Sequence, residues 1–427
     1  MGASTAVRVI SHQFSPDVSV SSSRPFPEVP PWTTHADEIA LLFACARTTT
    51  RSDDELRDLL SGDLDWPFLL EQAARHGIDP MVYHHLSRCE DDGLPADVRE
   101  TLRARRKGTL AYNLHRLQGL LRVVEVLHAE DIPVLAFKGP LLARRYYDNL
   151  GFRRFVDLDL LVPRADLPRA DVVLRARGFA PPTDRPDGEV EQRIEDQVGL
   201  ELWRSEDDLL VELHCALLNR SFAFPLDSDE VWARSELHTV GSTDVRVLAE
   251  EDLLLYLCAH GAKHHWARLK WLCDVAEVCR RASLDGEALV ARAERLDLDR
   301  LLGLGLRLAE HWLDAPASAA LRVRLRDNST IAELARHVET NWLFTAEGLD
   351  RTPRWDQLRF FLRTRRRWRN RWPLLREFGA LALTPTENDR AVVELPSSLS
   401  FLYYLVRPFR ILRSGGPEGN PPFSDSR

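Results

Sequence analysis

Hydrophobic and polar positions are patterned most tightly in residues 132–162, IPVLAFKGPLLARRYYDNLGFRRFVDLDLLV. Val134-Leu135-Ala136-Phe137 reads as a short buried strand that breaks at Lys138-Gly139-Pro140, and residues 141–147 then follow a helical pattern. Residues 155–162 are apolar apart from Asp157 and Asp159. Strand side chains alternate faces, which sets the two carboxylates on one face, roughly 7 Å apart, with Val156, Leu158 and Leu160 on the other. Residues 198–203 and 209–214 flank Ser205-Glu206-Asp207-Asp208 and predict a hairpin whose second strand carries Glu212 and His214 on a shared face. On both sides of this region the apolar spacing is helical. Gly77 reads as a helix stop, and Leu110, Leu114, Leu117, Leu120, Leu121, Val124 and Leu127 form the stripe of one long helix over residues 99–128. The fold class expected is α+β, with a small mixed-sheet core at residues 130–249 between helical regions at 35–129 and 250–395. Residues 1–34, rich in Ser, Pro and Val, read as a disordered leader, and residues 396–427 as an amphipathic segment and disordered tail.

Charge and cysteine usage narrow the classes. The 427 residues hold 57 Lys and Arg against 65 Asp and Glu, a formal net charge of −8, which argues against a general nucleic-acid binder. Six cysteines without a CxxC pair sit in apolar runs and read as buried thiols in a reducing cytoplasm. No secretory or membrane-spanning apolar stretch is visible, so the location expected is cytoplasmic. Two basic stretches qualify the acidic total. Residues 103–107 read as a solvated helix face, whereas residues 359–372, RFFLRTRRRWRNRW, interleave arginines with aromatics that either stack on bases or pack on the core.

The candidate chemistry follows from Asp157 and Asp159. Two carboxylates on one face of a buried strand repel each other and are costly to desolvate, and a divalent cation with oxygen ligands, Mg²⁺ or Mn²⁺, answers both costs. The turn at Lys138 and Gly139, leading from a strand into a helix, presents backbone N–H groups to phosphate. Glu212 is the preferred third carboxylate and Glu201 its rival on the partner strand. Arg153 and Arg154 either clamp phosphate or cap a loop, and Lys138 alternatively pairs with Asp157. His260 and His264, four apart on a helix, have zinc-like spacing but lack further ligands, so a structural or substrate-facing role is preferred for them, with Asp274 positioning them. His214 and His264 are placed behind the metal and substrate, and Lys263 and Lys270 are weaker substrate-facing candidates.

The string K-G-P-L-L-A-x(2)-Y-Y, followed by R-R-F-V-D-L-D-L-L-V and then V-E-L-H, resembles the bacterial uncharacterised nucleotidyltransferase family, within the DNA polymerase beta-like superfamily. The likeness is strong over residues 134–218 and continues through residues 252–274. It implies attack by an acceptor hydroxyl on the α-phosphate of a nucleoside triphosphate, with Asp157, Asp159 and Glu212 binding metal and Lys138, Gly139, Arg153 and Arg154 binding nucleotide. The sequence departs from the wider superfamily in having Lys138-Gly139 where Gly-Gly or Gly-Ser is common, and Glu in place of Asp as third acid. The acceptor, whether small molecule, peptide, protein or RNA, is left open. Two other classes stay in view: a catalytically silent binding or scaffold protein, and an RNA-directed transferase.

Overall fold

A computed structural model describes residues 34–49, 53–89, 94–182, 189–196, 199–219, 222, 224–226, 228–318, 321–323, 328–341, 354–383 and 403–404. The expected leader and nearly all of the expected C-terminal amphipathic segment lie outside these residues. Among them, one six-stranded mixed sheet is surrounded by helices, in agreement with the α+β expectation. The strands are β1 (Leu135–Ala136), β2 (Asp157–Leu161), β3 (Leu200–Arg204), β4 (Leu209–His214), β5 (Glu236–Val240) and β6 (Thr243–Val247), in the order β3-β4-β2-β1-β6-β5. The expected hairpin is β3–β4, antiparallel across the 205–208 turn. β5–β6 is a second hairpin, which residue pattern alone did not single out, and β6 lies parallel to β1.

β2 is central, antiparallel to β1 and parallel to β4. Its alternation sorts the core into two layers. Leu158 and Leu160, with Val211 and Leu213 of β4, face the long helix Ala96–Ala129 through Leu120, Val123, Val124 and Leu127, and also meet Leu167, Ala170 and Leu174 of the helix Leu167–Arg175. Val156 departs from the expected alternation: it precedes β2 and is 54% exposed. On the opposite face Leu135, Phe137 and Leu161 join a larger core, shared by helices from the N-terminal part (Ile39, Leu42, Leu69) and the C-terminal part (Leu254, Leu272, Leu302, Phe361). The two helical regions are thus packed together over one face of the sheet.

Local chemistry sets the helix ends that matter. Asp65 accepts from the Phe68 N–H at 3.0 Å to start Trp66–His76, and Gly77 in the left-handed region (φ 70°) ends it. His76, fully buried, accepts the Leu269 N–H on Nδ1 at 3.1 Å, satisfying the first turn of the helix Leu269–Arg281. The arginine-aromatic stretch packs inward through part of its length, with Arg366, Arg367 and Arg369 exposed. Phe360 and Phe361 are buried, and Arg365 is buried, donating to the Phe222 carbonyl at 2.9 Å with its guanidinium 5.0 Å from that ring. Arg366 reaches Asp299 at 3.3 Å and Arg367 donates to the Arg295 carbonyl at 2.7 Å. Trp368 and Trp372 do stay exposed.

Acid should loosen this core through its neutral histidines. Burial pushes His76 and His265 down to about 3 and His85 down to about 4. An unfolded chain protonates each near pH 6.5, so their contribution is complete above that pH and is lost as the pH falls toward 3 to 4. Lowering the pH from 7 to 5 should cost about 2 kcal/mol per buried histidine, read as a fall in the urea midpoint. The His76→Gln protein, whose amide oxygen can still accept the Leu269 N–H, should lose less over the same interval than wild type.

Candidate active site

The site forms on the β1–β2–β4 face that looks toward the helix Glu250–Lys263. Parallel pairing of β2 with β4 sets Asp159 beside Glu212 and Leu161 beside His214. Ligand atoms of Asp159, Glu212 and His214 all lie within 4.8 Å of one another. His214 Nε2 is 3.3 Å from a Glu212 oxygen and 3.6 Å from Asp159 Oδ1. Lys138, arriving from the end of β1, places Nζ 2.8 Å from the same Asp159 oxygen. The converging group takes in His214, and Asp157, two residues before Asp159 on β2, is not part of it. Among the described residues this is the single group of potential metal ligands. Glu201 pairs with Glu212 across β3–β4, one strand further from Asp159, which favours Glu212 as the third acid.

Two glycines make the arrangement possible. Gly139 has φ +59°, and a Cβ there would stand 3.2 Å from the Asp157 carbonyl, so the turn closes on β2 only with glycine. From it starts the helix Gly139–Tyr146, with Pro140 in its first turn. At Gly199 a Cβ would stand 2.8 Å from His214 Cε1, so glycine leaves room for the imidazole.

Electrostatics polarise the cluster. Burial pushes Asp157 up to about 6, with the charge of Asp159 adding to the rise. Burial acts the same way on Asp159, but the Lys138 ammonium and the His214 imidazole reverse it and hold that carboxyl well below the usual carboxylate range. Burial alone would lower His214, yet its hydrogen bonds to Asp159 and Glu212 raise it to about 9, so it is cationic near neutrality. Lys138 is likewise held charged: Asp159 outweighs its desolvation. The carboxylates of Asp159 and Glu212, beside an Asp157 that is half-neutral near pH 6, are oxygen donors that fit a divalent cation, while a cationic His214 pairs with them rather than ligating.

Other predicted residues have structural work. Arg153 is buried and grips Asp274 with two nitrogens, Nε at 2.7 Å and Nη2 at 2.9 Å, while the Tyr147 hydroxyl donates to Asp274 at 2.7 Å. Arg153 is thus held away from a phosphate-clamping role, and Asp274 holds this arginine rather than the histidines. Arg154 pairs with buried Asp79 at 3.1 Å but is itself exposed. Lys263 is buried. His260 and His264 do not form a metal site. They belong to a ring ladder in which Tyr256 stacks on His260 (5.6 Å), His260 meets His264 edge-on (4.6 Å) and His264 stacks on Trp271 (4.8 Å). Tyr256 begins this ladder 5.8 Å from Lys138 Nζ.

The mixed sheet brings the acids of β2, the acid of β4 and the Lys-Gly helix start onto one face. The chain belongs to the uncharacterised nucleotidyltransferase family, whose profile matches residues 62–314, more than half of its length. That span extends beyond the sheet into helices on both sides, so the flanking helices are part of what the family shares. No curated protein matches the chain. No described helix is long and apolar enough to cross a membrane.

The Arg153–Asp274 pair sets a stability test. Removing one partner leaves an unanswered buried charge, which should cost about 3–5 kcal/mol for Arg153→Ala in urea unfolding. Arg153→Met with Asp274→Leu should recover much of that loss, and a double substitution as damaging as the sum of the singles would contradict the pairing.

Proposed function

We propose that the protein transfers a nucleoside monophosphate from a nucleoside triphosphate to an acceptor hydroxyl, releasing pyrophosphate. The observation that carries this reading is the meeting of Asp159, Glu212 and His214 beside the Lys138-Gly139 helix start, in a chain that belongs to a nucleotidyltransferase family. The acceptor oxygen forms a new bond to the α-phosphorus as the α–β bridging bond breaks, and the pyrophosphate leaves in line with the attack. Asp159 and Glu212, with Asp157 on the same face of β2, would hold Mg²⁺ or Mn²⁺, which supplies charge neutralisation at the transferring phosphate. Lys138 and the N–H groups that open the helix Gly139–Tyr146 hold the triphosphate, the lysine as a point charge and the amides as donors. Glu212, on the rim of the cluster, receives the acceptor proton. His214 is cationic in this setting and fixes Glu212 by the 3.3 Å contact rather than acting as the base.

One observation favours a second reading, a nucleotidyltransferase fold used for binding alone. Lys138 already neutralises Asp159 at 2.8 Å, so the site is electrostatically closed without a metal. The RNA-directed reading loses its main support, because Arg365 is buried and Arg366 and Arg367 hold internal partners.

Calorimetric titration with Mg²⁺ and each nonhydrolysable nucleoside triphosphate separates the two. Wild type should bind at least one, and Asp157→Asn with Asp159→Asn should weaken that binding by about tenfold or more, since the carboxylates are the metal's ligands. Glu212→Gln should lower transfer of an α-labelled nucleotide by about 10²-fold or more, with Glu201→Gln close to wild type. A folded wild type that binds no nucleotide under these conditions would leave the scaffold reading in possession.

A further inference from the structure

Beside the residues that lead into β2 is a cavity of about 670 Å³. Arg75, Arg105, Arg154, Arg268 and Lys270 line it, with Asp79 as the one carboxylate among its lining residues. Asp79 answers only Arg154, at 3.1 Å. Arg105 is steadied by donating to the Leu70 carbonyl at 2.9 Å, and the alkyl stem of Lys270 runs across Gly77. Phe155 and Val156, which lead directly into Asp157, form part of the wall, and Tyr112 of the long helix forms another. The cavity is therefore built from four separate stretches of chain, one of which runs directly into β2 and its first acid.

Five cations crowd there against one lining carboxylate. Burial lowers Lys270 to about 8, with Arg153 and Arg268 adding to the effect, and burial together with Arg75 and Arg154 lowers Arg268. A bound anion would relieve this repulsion, and arginine forks suit phosphate oxygens in particular. A volume of this order suits a small molecule. In-line displacement puts the attacking hydroxyl on the side of the α-phosphate opposite the leaving pyrophosphate. The cavity wall at Val156 is the residue next to Asp157, so a molecule seated there adjoins the acid end of β2.

We infer that this cavity seats the acceptor, and that the acceptor is a small phosphorylated molecule whose phosphate is held by Arg268 and Lys270 while its hydroxyl reaches the Asp157 end of the cluster. This assignment rests on the nucleotidyl-transfer reading above.

Inorganic phosphate is the probe. Full-length protein is titrated with it in the presence of Mg²⁺ and a saturating nonhydrolysable nucleoside triphosphate, so that the triphosphate's own site is filled. Wild type should bind phosphate under these conditions, Arg268→Ala with Lys270→Ala should weaken it by about tenfold or more, and the charge-keeping pair Arg268→Lys with Lys270→Arg should stay within about threefold. Unchanged phosphate affinity in a folded alanine pair would overturn the assignment. So would complete displacement of phosphate by the nucleotide, which would give the cavity to the triphosphate itself. Phosphate binding that depends on Arg268 and Lys270 in a protein that binds no nucleotide would overturn the transfer reading and the acceptor's role together, leaving an anion pocket.

Discussion

Three acids that converge on one sheet face need positive charge close by, and the rest of the structure is arranged around that need. Lys138 supplies the first charge, 2.8 Å from Asp159, and His214 the second. Bringing these groups together requires residues 138, 159 and 212–214 to meet, which local sequence cannot do. The strand order does it: β2 in the middle, β1 delivering the lysine on one side and β4 the glutamate and histidine on the other. Gly139 is the hinge of the arrangement, since any side chain there would strain a left-handed residue and press on the Asp157 carbonyl.

The helices position the site rather than merely cover it. The segment leading into β2 is pinned from two directions. Asn113 of the long helix donates to the carbonyls of Leu150 (2.6 Å) and Arg153 (2.8 Å), and Arg116 donates to that of Val156 at 2.9 Å. From the other side Asp274 takes the Arg153 fork and the Tyr147 hydroxyl. With backbone and side chains of residues 147–156 so fixed, Asp157 and Asp159 enter the sheet at a set depth and register. This is a physical reason for the family's span to run past the sheet on both sides.

What the sequence made legible was whatever a local period can encode. The alternation through Leu158, Leu160 and Leu161, the β3–β4 hairpin, the glycine stop at Gly77 and the long apolar stripe were all readable, because each depends on residues within a few positions of one another. Val156 continued the same alternation on paper but falls before the ladder begins, so nothing packs over it. The cations were least readable. Arg153 and Arg154 are adjacent, yet one is buried on Asp274 and the other is exposed beside Asp79. Arg365 is buried in a run that looks solvent-facing or base-stacking, and Arg105 lines a cavity from a stretch that reads as a plain charged face. An arginine's role depends on which carboxylate or carbonyl lies opposite, and those partners are tens or hundreds of positions away.

The acidic total of the chain conceals a local polarity that bears on mechanism. The charges are sorted about Asp157: three carboxylates with Lys138 and His214 on the sheet, and five cations with Asp79 around the adjacent cavity. Such a pair of regions acts differently on the two reactants. An anion free in solution is drawn to the cationic side and repelled by bare carboxylates, whereas a triphosphate carrying its own metal can enter the acidic side with its charge largely answered. On the proposed transfer reaction, this sorting of charge would let two anionic substrates enter separately, one with metal and one without. The long helix, the turn at Gly77 and the first residues of the helix Leu269–Arg281 supply the cationic half, and the sheet supplies the acidic half. The two halves share their cores, the long helix packing on β2 and β4 and the helix Leu269–Arg281 on the other face, so the contrast in charge at Asp157 is fixed by the same contacts that fold the chain.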